Sequence, residues 1–144
     1  MSKIKIKCYV ANSGKNEVQD VYNNGSEELK AGFEVAISYL KEMSRQHWSR
    51  PDAHRLNKVK GFKDFYEIRF RADKLQQRPI GFFWPDDNHF TILIWATEKG
   101  NKLNPESWHE KCAKRKSDIE NGIASIKCLK LEGEEECLEQ KLID

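Results

Sequence analysis

Residues 61–99 read GFKDFYEIRFRADKLQQRPIGFFWPDDNHFTILIWATEK and contain three consecutive strand patterns. In the first pattern, Tyr66, Ile68 and Phe70 alternate with polar residues, so a strand here carries apolar side chains on one face and charged side chains on the other. The second pattern ends at Trp84, and a PDDN turn leads directly into the third. Because this connection is so short, the second and third strands must be antiparallel.

The third pattern, residues 89–96, predicts the centre of the sheet. It contains four large apolar residues in succession at 92–95, which indicates a strand buried on both faces. Helices are therefore expected to cover the sheet. The sequence predicts an α+β fold in which a twisted, mainly antiparallel sheet is flanked by helices.

A further strand and two helices are predicted on the N-terminal side. Lysine and isoleucine alternate in residues 3–10, which favours a strand that joins the sheet. Residues 16–22 predict one or two helical turns. Ser26 is expected to cap a longer helix whose apolar stripe runs to about Arg45 and lies on the sheet. A loop is expected at 46–52.

Two more elements are predicted on the C-terminal side. Asn104 is expected to cap a helix with Pro105 at its first helical position, and Asn121 with Gly122 is expected to end it. Residues 126–131 alternate as a strand does, and the residues after them favour a frayed terminal helix.

The chain length of 144 residues predicts one domain, 1–144, because it suffices for one full hydrophobic core and is too short for two. Residues 123–144 are expected to form a peripheral C-terminal extension of that domain. No apolar run approaches the length of a membrane span. The first residues also lack the apolar segment of a signal peptide, so we expect a cytoplasmic protein that does not bind membranes.

Charge is distributed unevenly, although the formal net charge is only +2. Basic residues dominate the stretch 45–78, whereas residues 132–139 are acidic. Such a distribution indicates a basic surface for a polyanion. Lys58, Lys60 and Lys63 are expected to steer phosphates on that surface.

Four cysteines, Cys8, Cys112, Cys128 and Cys137, are far apart in sequence and form no CxxC motif. This spacing supports neither a zinc knuckle nor a thioredoxin-type site. We expect reduced, structural thiols, and no motif in the chain calls for a metal ion or a cofactor.

A cationic patch is predicted around the first two strands of the central stretch. Arg69 and Arg71 are two residues apart and emerge on one strand face, and Arg78 is only a hairpin away. Solvated arginines are the alternative explanation. Glu67, on the same face, is either a general base or a partner in a cross-strand ion pair. Trp108 is either a stacking platform for a base or a core residue.

A family pattern runs through the same residues. In order, the chain presents Leu56, Gly61, Tyr66-Glu67-Ile68-Arg69, Arg78, Lys99, Pro105 and Ala113-Lys114-Arg115. This order resembles the RelE/ParE toxin superfamily, most nearly its HigB-like, phage-related branch, over roughly residues 36–115. The resemblance implies a RelE-like fold and a type II toxin that inhibits translation as a ribosome-dependent mRNA endonuclease.

The expected chemistry is RNA cleavage without a metal ion. A ribose 2′-hydroxyl attacks the adjacent phosphate, and cationic side chains stabilise the pentacoordinate state. The candidate catalytic residues are Arg69, Arg78, Lys99 and Glu67, with Lys99 or His109 as proton donor. The candidate RNA-binding residues are Arg71, Lys58, Lys60, Lys63, Lys102, Trp108 and His109.

The resemblance implies a cognate antitoxin, the ribosome and mRNA as partners. Self-association into a homo-oligomer is a further alternative. An alternative from another functional class is a ParE-like toxin, or an inactive member, that binds gyrase or only its antitoxin and cleaves no RNA. The acidic segment 132–139 is either a solvated tail or an internal mimic of an acidic partner.

Overall fold

The computed structural model describes residues 3–56, 60–61 and 63–132. Lys58, Cys137, the acidic segment beyond Glu132 and the expected terminal helix lie outside the described residues.

The described residues form one sheet of eight strands. The strands are β1 (Lys5–Val10), β2 (Ala53–Arg55), β3 (Phe65–Ile68), β4 (Phe70–Ala72), β5 (Leu75–Phe83), β6 (His89–Lys99), β7 (Lys102–Asn104) and β8 (Ser125–Cys128). The order across the sheet is β2-β3-β5-β6-β1-β8, while β4 also pairs with β5 and β7 with β6. Only the β1–β6 pair is parallel among the described pairs, so the expectation of a mainly antiparallel sheet is confirmed.

Helices lie on both faces of this sheet. The helices are α1 (Glu17–Asn23), α2 (Glu27–Leu40) and α3 (Trp108–Glu120). On one face, Val18 of α1 and Phe33 of α2 pack with Trp95, and the Phe33 and Trp95 rings are 4.9 Å apart. On the other face, Cys112 of α3 packs in a separate apolar cluster with Leu93. The structure is therefore α+β, with an apolar core on each side of the sheet.

The central hairpin matches its predicted pattern. Strands β5 and β6 are antiparallel across the turn at 85–88, and residues 90–96 of β6 are all buried. Residues 92–95 occupy the middle of the sheet, with β5 on one side of β6 and β1 on the other. Continuous burial follows because each face of β6 lies under a helix layer.

The N-terminal helices also match, apart from one boundary. The Ser26 hydroxyl accepts a hydrogen bond from the Leu29 amide at 3.0 Å, as expected of a cap. Helix α2 ends at Leu40 and not near Arg45, which instead begins a short 3₁₀ turn. Within the expected loop, Trp48 is buried and its Nε1 donates to the carbonyl of Leu40 at 2.9 Å.

The predicted start of α3 is wrong. Helix α3 begins at Trp108 after Ser107, because Asn104 belongs to β7 and pairs with Thr97 of β6. The predicted end is correct: Asn121 caps the helix and Gly122 has a φ of 75°. A helix cap and a strand end thus compete for Asn104, and the strand pairing with β6 prevails.

Residues 125–131 belong to the sheet and the core. Strand β8 pairs with β1, so the expected strand at 126–131 is confirmed in its first part. Leu129 and Leu131 are buried against the α1–α2 side of the sheet. This part of the expected peripheral extension is therefore integral to the domain.

The cysteines differ in state. Cys8 and Cys112 are free and buried, and burial raises the pKa of the Cys112 thiol to about 12. Cys128 is disulfide-bonded, so the expectation of a reduced thiol is wrong for this residue. Within the described ranges, each helix is too short or too polar to cross a bilayer.

Gly81 should be intolerant of any side chain, because a Cβ there would lie 2.0 Å from the carbonyl oxygen of Thr91. We expect Gly81→Ala to lower the free energy of unfolding by at least about 3 kcal/mol, since the overlap is with backbone that cannot move aside. Gly14→Ala is the control: its φ is 94° with nothing within 4 Å, so backbone strain of about 1 kcal/mol is expected. Equal losses in urea unfolding would contradict the steric explanation.

Candidate functional site

Three of the predicted catalytic residues, Glu67, Arg69 and Arg78, meet where strand β3 ends and β4 begins. Arg69 lies between these two strands, and its backbone N–H donates to the carbonyl of Asp52 at 2.8 Å. Gly32 lets α2 approach closely, since a Cβ there would be 2.9 Å from Cδ2 of Phe70. An open cavity of about 780 Å³ lies between α2, residues 50–52 and β4, and we call it the α2 cavity.

Glu67 is the centre of a buried charged group beside this cavity. Its side chain is 7% exposed and accepts a hydrogen bond from Nη1 of Arg69. Arg78 Nε lies 3.9 Å from the same carboxylate oxygen, and His54 Nδ1 lies 3.6 Å from it. The cross-strand ion pair that the sequence offered as one explanation of Glu67 is therefore present.

Arg78 is held from several directions. Its side chain is 3% exposed, and Nε donates to Glu98 at 3.2 Å. Nη2 donates to the side-chain oxygen of Gln76 at 3.2 Å, and Nη1 donates to the carbonyl of Gln77 at 3.0 Å. Burial and the nearby Arg69 lower the pKa of Arg78. The negative charges of Glu67 and Glu98 raise this pKa, but the net shift is downward. We call Glu67, Arg69, Arg78 and Glu98 the Glu67 network.

Sheet register assembles this network. Glu67 pairs with Ile80 across β3 and β5, and Gln76 pairs with Glu98 across β5 and β6. Alternate residues of one strand share a face, so Gln76, Arg78 and Ile80 all project to the same side. These side chains therefore leave β5 on the side of Ile80, which belongs to the apolar cluster under α3, and the network reaches the α2 cavity through Arg69 and Arg78, which line it.

Arg50 and Arg71 differ from the arginines of the network. Both are exposed and both line the α2 cavity together with Arg69 and Arg78. Neither guanidinium has a hydrogen bond or ion pair with a residue that the structure describes. They are therefore available to an anionic ligand.

The predicted lysines are distributed elsewhere. Lys99 and Lys102 are exposed and face each other across the β6–β7 turn, outside the α2 cavity. Lys99 directly follows Glu98, so its side chain leaves the opposite face of β6 from the Glu67 network. Lys60 and Lys63 are exposed before β3, where the Lys63 carbonyl accepts a hydrogen bond from Arg55 Nε at 2.5 Å.

Trp108 and His109 begin α3. Trp108 is 7% exposed and belongs to the apolar cluster between α3 and the sheet. The exposed His109 ring stacks on it with centroids 3.6 Å apart. The core explanation offered for Trp108 therefore accounts for its position.

Sequence reasoning missed four residues at this site. Arg50 and Asp52 line the α2 cavity, and Gln76 and Glu98 bind Arg78. Strand alternation and hairpin register contained the signal for Gln76 and Glu98. No local signal pointed to the residues at 50–52, which reach the cavity through tertiary packing of a loop.

Comparison with protein-family models, with curated proteins and with solved structures finds no match. Among residues 3–56, 60–61 and 63–132, no three His, Cys, Asp or Glu side chains are grouped to hold a metal ion.

Arg78 should be important for stability. We expect Arg78→Met to lower the free energy of unfolding by about 3 to 5 kcal/mol, because it leaves the buried Glu67 carboxylate without one cation. Adding Glu67→Gln should recover part of this loss, and a double-mutant cycle of urea unfolding measures the coupling. Arg55→Ala is the control, since its pair with Asp64 is exposed and long at 4.0 Å, and a loss under about 1 kcal/mol is expected. Strictly additive losses for Glu67 and Arg78 would contradict a coupled pair.

Proposed function

We propose that this protein has a RelE-like fold and is a type II toxin that cleaves ribosome-bound mRNA in the cytoplasm without a metal ion. The observation that carries the proposal is the convergence of Arg69, Arg71 and Arg78 on one open cavity, with the Glu67 carboxylate in contact with Arg69. Guanidiniums that reach solvent at such a cavity suit a substrate whose charge increases in the transition state.

The arginines would divide the work according to their burial. Arg71 is exposed and Arg69 has a quarter of its side chain exposed, so these two would contact the scissile phosphate. Arg78 is almost fully buried and would position Glu67 and Gln76 instead of contacting RNA. We therefore regard Arg78 as a positioning residue in this proposal.

Glu67 would remove the proton from the attacking 2′-hydroxyl once Arg69 turns to the phosphate. The Arg69 hydrogen bond occupies the nearest carboxylate oxygen in the free protein. RNA would therefore have to displace that hydrogen bond to expose the base. The leaving 5′-oxygen is bonded to the same phosphorus atom, so its proton would come from water in the open cavity. Lys99, whose side chain leaves the opposite face of β6, would not reach it.

A non-cleaving relative is the second candidate. The observation in its favour is the same Glu67 network, in which Arg69, Arg78 and His54 all surround the carboxylate. A carboxylate held in this way also suits a purely structural ion pair. Such a protein would bind gyrase, or an antitoxin alone, and cleave nothing.

Expression without an antitoxin distinguishes these candidates. The nuclease should arrest growth and cut mRNA inside translated reading frames, which primer extension on cellular RNA detects. Growth arrest with intact mRNA and inhibited supercoiling would support the gyrase-directed alternative. Normal growth at verified expression would support the inactive one.

Arg69→Ala should slow the cleavage of ribosome-bound mRNA about a hundredfold or more, as expected when one preorganised donor to a transition state is lost. Arg55→Ala removes an exposed guanidinium outside the α2 cavity and should cleave at the parental rate. Thermal unfolding of each variant controls for folding. A folded Arg69→Ala variant with parental activity would remove this cavity from consideration as the active site.

A further inference from the structure

The α2 cavity contains three kinds of surface. One wall is apolar and consists of Ala31 and Val35 from α2 with Pro51 and Phe70 opposite. Val35 is 57% exposed, which is unusual for a large apolar side chain in the described part of the chain. An exposed apolar wall of this kind is suited to a flat ligand surface such as a nucleobase.

The rim of the cavity is charged. Arg50 and Arg71 present guanidiniums that bind no described residue. The half-buried Asp52 likewise has a side-chain carboxylate that makes no hydrogen bond or ion pair with the described residues. The rim thus combines two donors for phosphate oxygens with one acceptor for hydroxyl groups.

We infer that the α2 cavity binds one ribonucleotide unit of single-stranded RNA, with its base on the Val35 wall, its 5′-phosphate on Arg50 and Arg71, and its 2′-hydroxyl, which is not the attacking hydroxyl, on Asp52. A volume of about 780 Å³ is ample for one such unit. Asp52 would then distinguish RNA from DNA, because only a ribose offers the 2′-hydroxyl. This inference rests on the proposed action on RNA and assigns roles to Arg50, Val35 and Asp52 that RNA cleavage alone does not.

An acidic peptide would also use the arginines. It would, however, leave the Asp52 carboxylate facing like charge, which is unfavourable at close range. A ribonucleotide satisfies the apolar wall, the cations and the carboxylate together. The combined chemistry of the cavity therefore favours RNA over a peptide.

The test measures binding of a short fluorescein-labelled single-stranded oligoribonucleotide and of its deoxyribose counterpart by fluorescence anisotropy. The parent protein should bind the RNA about tenfold more tightly, as expected for a hydrogen bond to a charged acceptor. Asp52→Ala should weaken only the RNA and abolish the difference. Arg50→Ala and Arg71→Ala should weaken the binding of both RNA and DNA. Each should also reduce the slope of the logarithm of affinity against the logarithm of salt concentration by about one.

Two more variants complete the test. Val35→Asp should weaken binding of both oligonucleotides, because it places a charge on the base-stacking wall. Arg55→Ala, outside the cavity, should leave both affinities unchanged, and thermal unfolding verifies that every variant is folded. A free mononucleotide, used as competitor, should bind the parent protein far more weakly than the oligonucleotide, because the inferred site holds one unit of a longer chain.

Several results would overturn the inference. One is an unchanged preference for RNA over DNA in Asp52→Ala. Another is a parental affinity for RNA in Arg50→Ala and Val35→Asp. Variants that lose a designed acidic amphipathic peptide but keep RNA would make the cavity a protein-docking groove. The nuclease proposal is judged separately. RNA-selective binding without cleavage would refute the nuclease and keep the subsite. Cleavage that is untouched by Arg50→Ala, Val35→Asp and Asp52→Ala would refute the subsite and keep the nuclease.

Discussion

Burial of the Arg78 guanidinium within the sheet is the constraint on which the site depends. Removing a guanidinium from water is costly unless its N–H groups find partners. Here β5 supplies Gln76 and the Gln77 carbonyl, β6 supplies Glu98, and β3 supplies Glu67. Because these partners come from three strands, the strand register is fixed by charge as well as by the apolar core. Arg69 extends the network to the surface and so connects the interior of the sheet to the α2 cavity.

The cavity exists because one strand is interrupted. Strand β3 ends at Ile68, Arg69 bonds to the loop carbonyl of Asp52, and β4 resumes at Phe70. This break allows residues 50–52 to approach α2 at the site where Gly32 permits close packing. An uninterrupted strand would have presented Arg69 and Arg71 as a plain exposed row. The interruption instead gathers arginines from a loop, a strand junction and a strand around one concavity.

The parts of the fold with strong periodicity were predictable. Residues 92–95 indicated a doubly buried strand, the PDDN turn indicated the hairpin, and Ser26 indicated a cap, and all three are present. The proximity of Arg69 and Arg78 to Glu67 also followed from strand alternation. The predicted helix start at Asn104 was wrong because a good capping residue also suits the end of a strand. Only the pairing of Asn104 with Thr97 decides between the two structures. The contributions of Arg50 and Asp52 were beyond sequence reasoning, since loop packing depends on long-range contacts that have no local signature.

The position of β8 has a consequence for synthesis of the chain. Strand β8 pairs with β1, and the residues after it are fastened to α1: Lys130 exchanges two hydrogen bonds with Gln19, and the Glu132 amide donates to the Tyr22 hydroxyl. Strand β1 is also flanked by β6, which begins only at His89, so the two paired strands are far apart in sequence. Contacts between residues so far apart in sequence cannot form until both partners have left the ribosome. Strand β1 must therefore wait unpaired while the local β5–β6 hairpin forms, and it joins the sheet only after β6 and β8 have emerged.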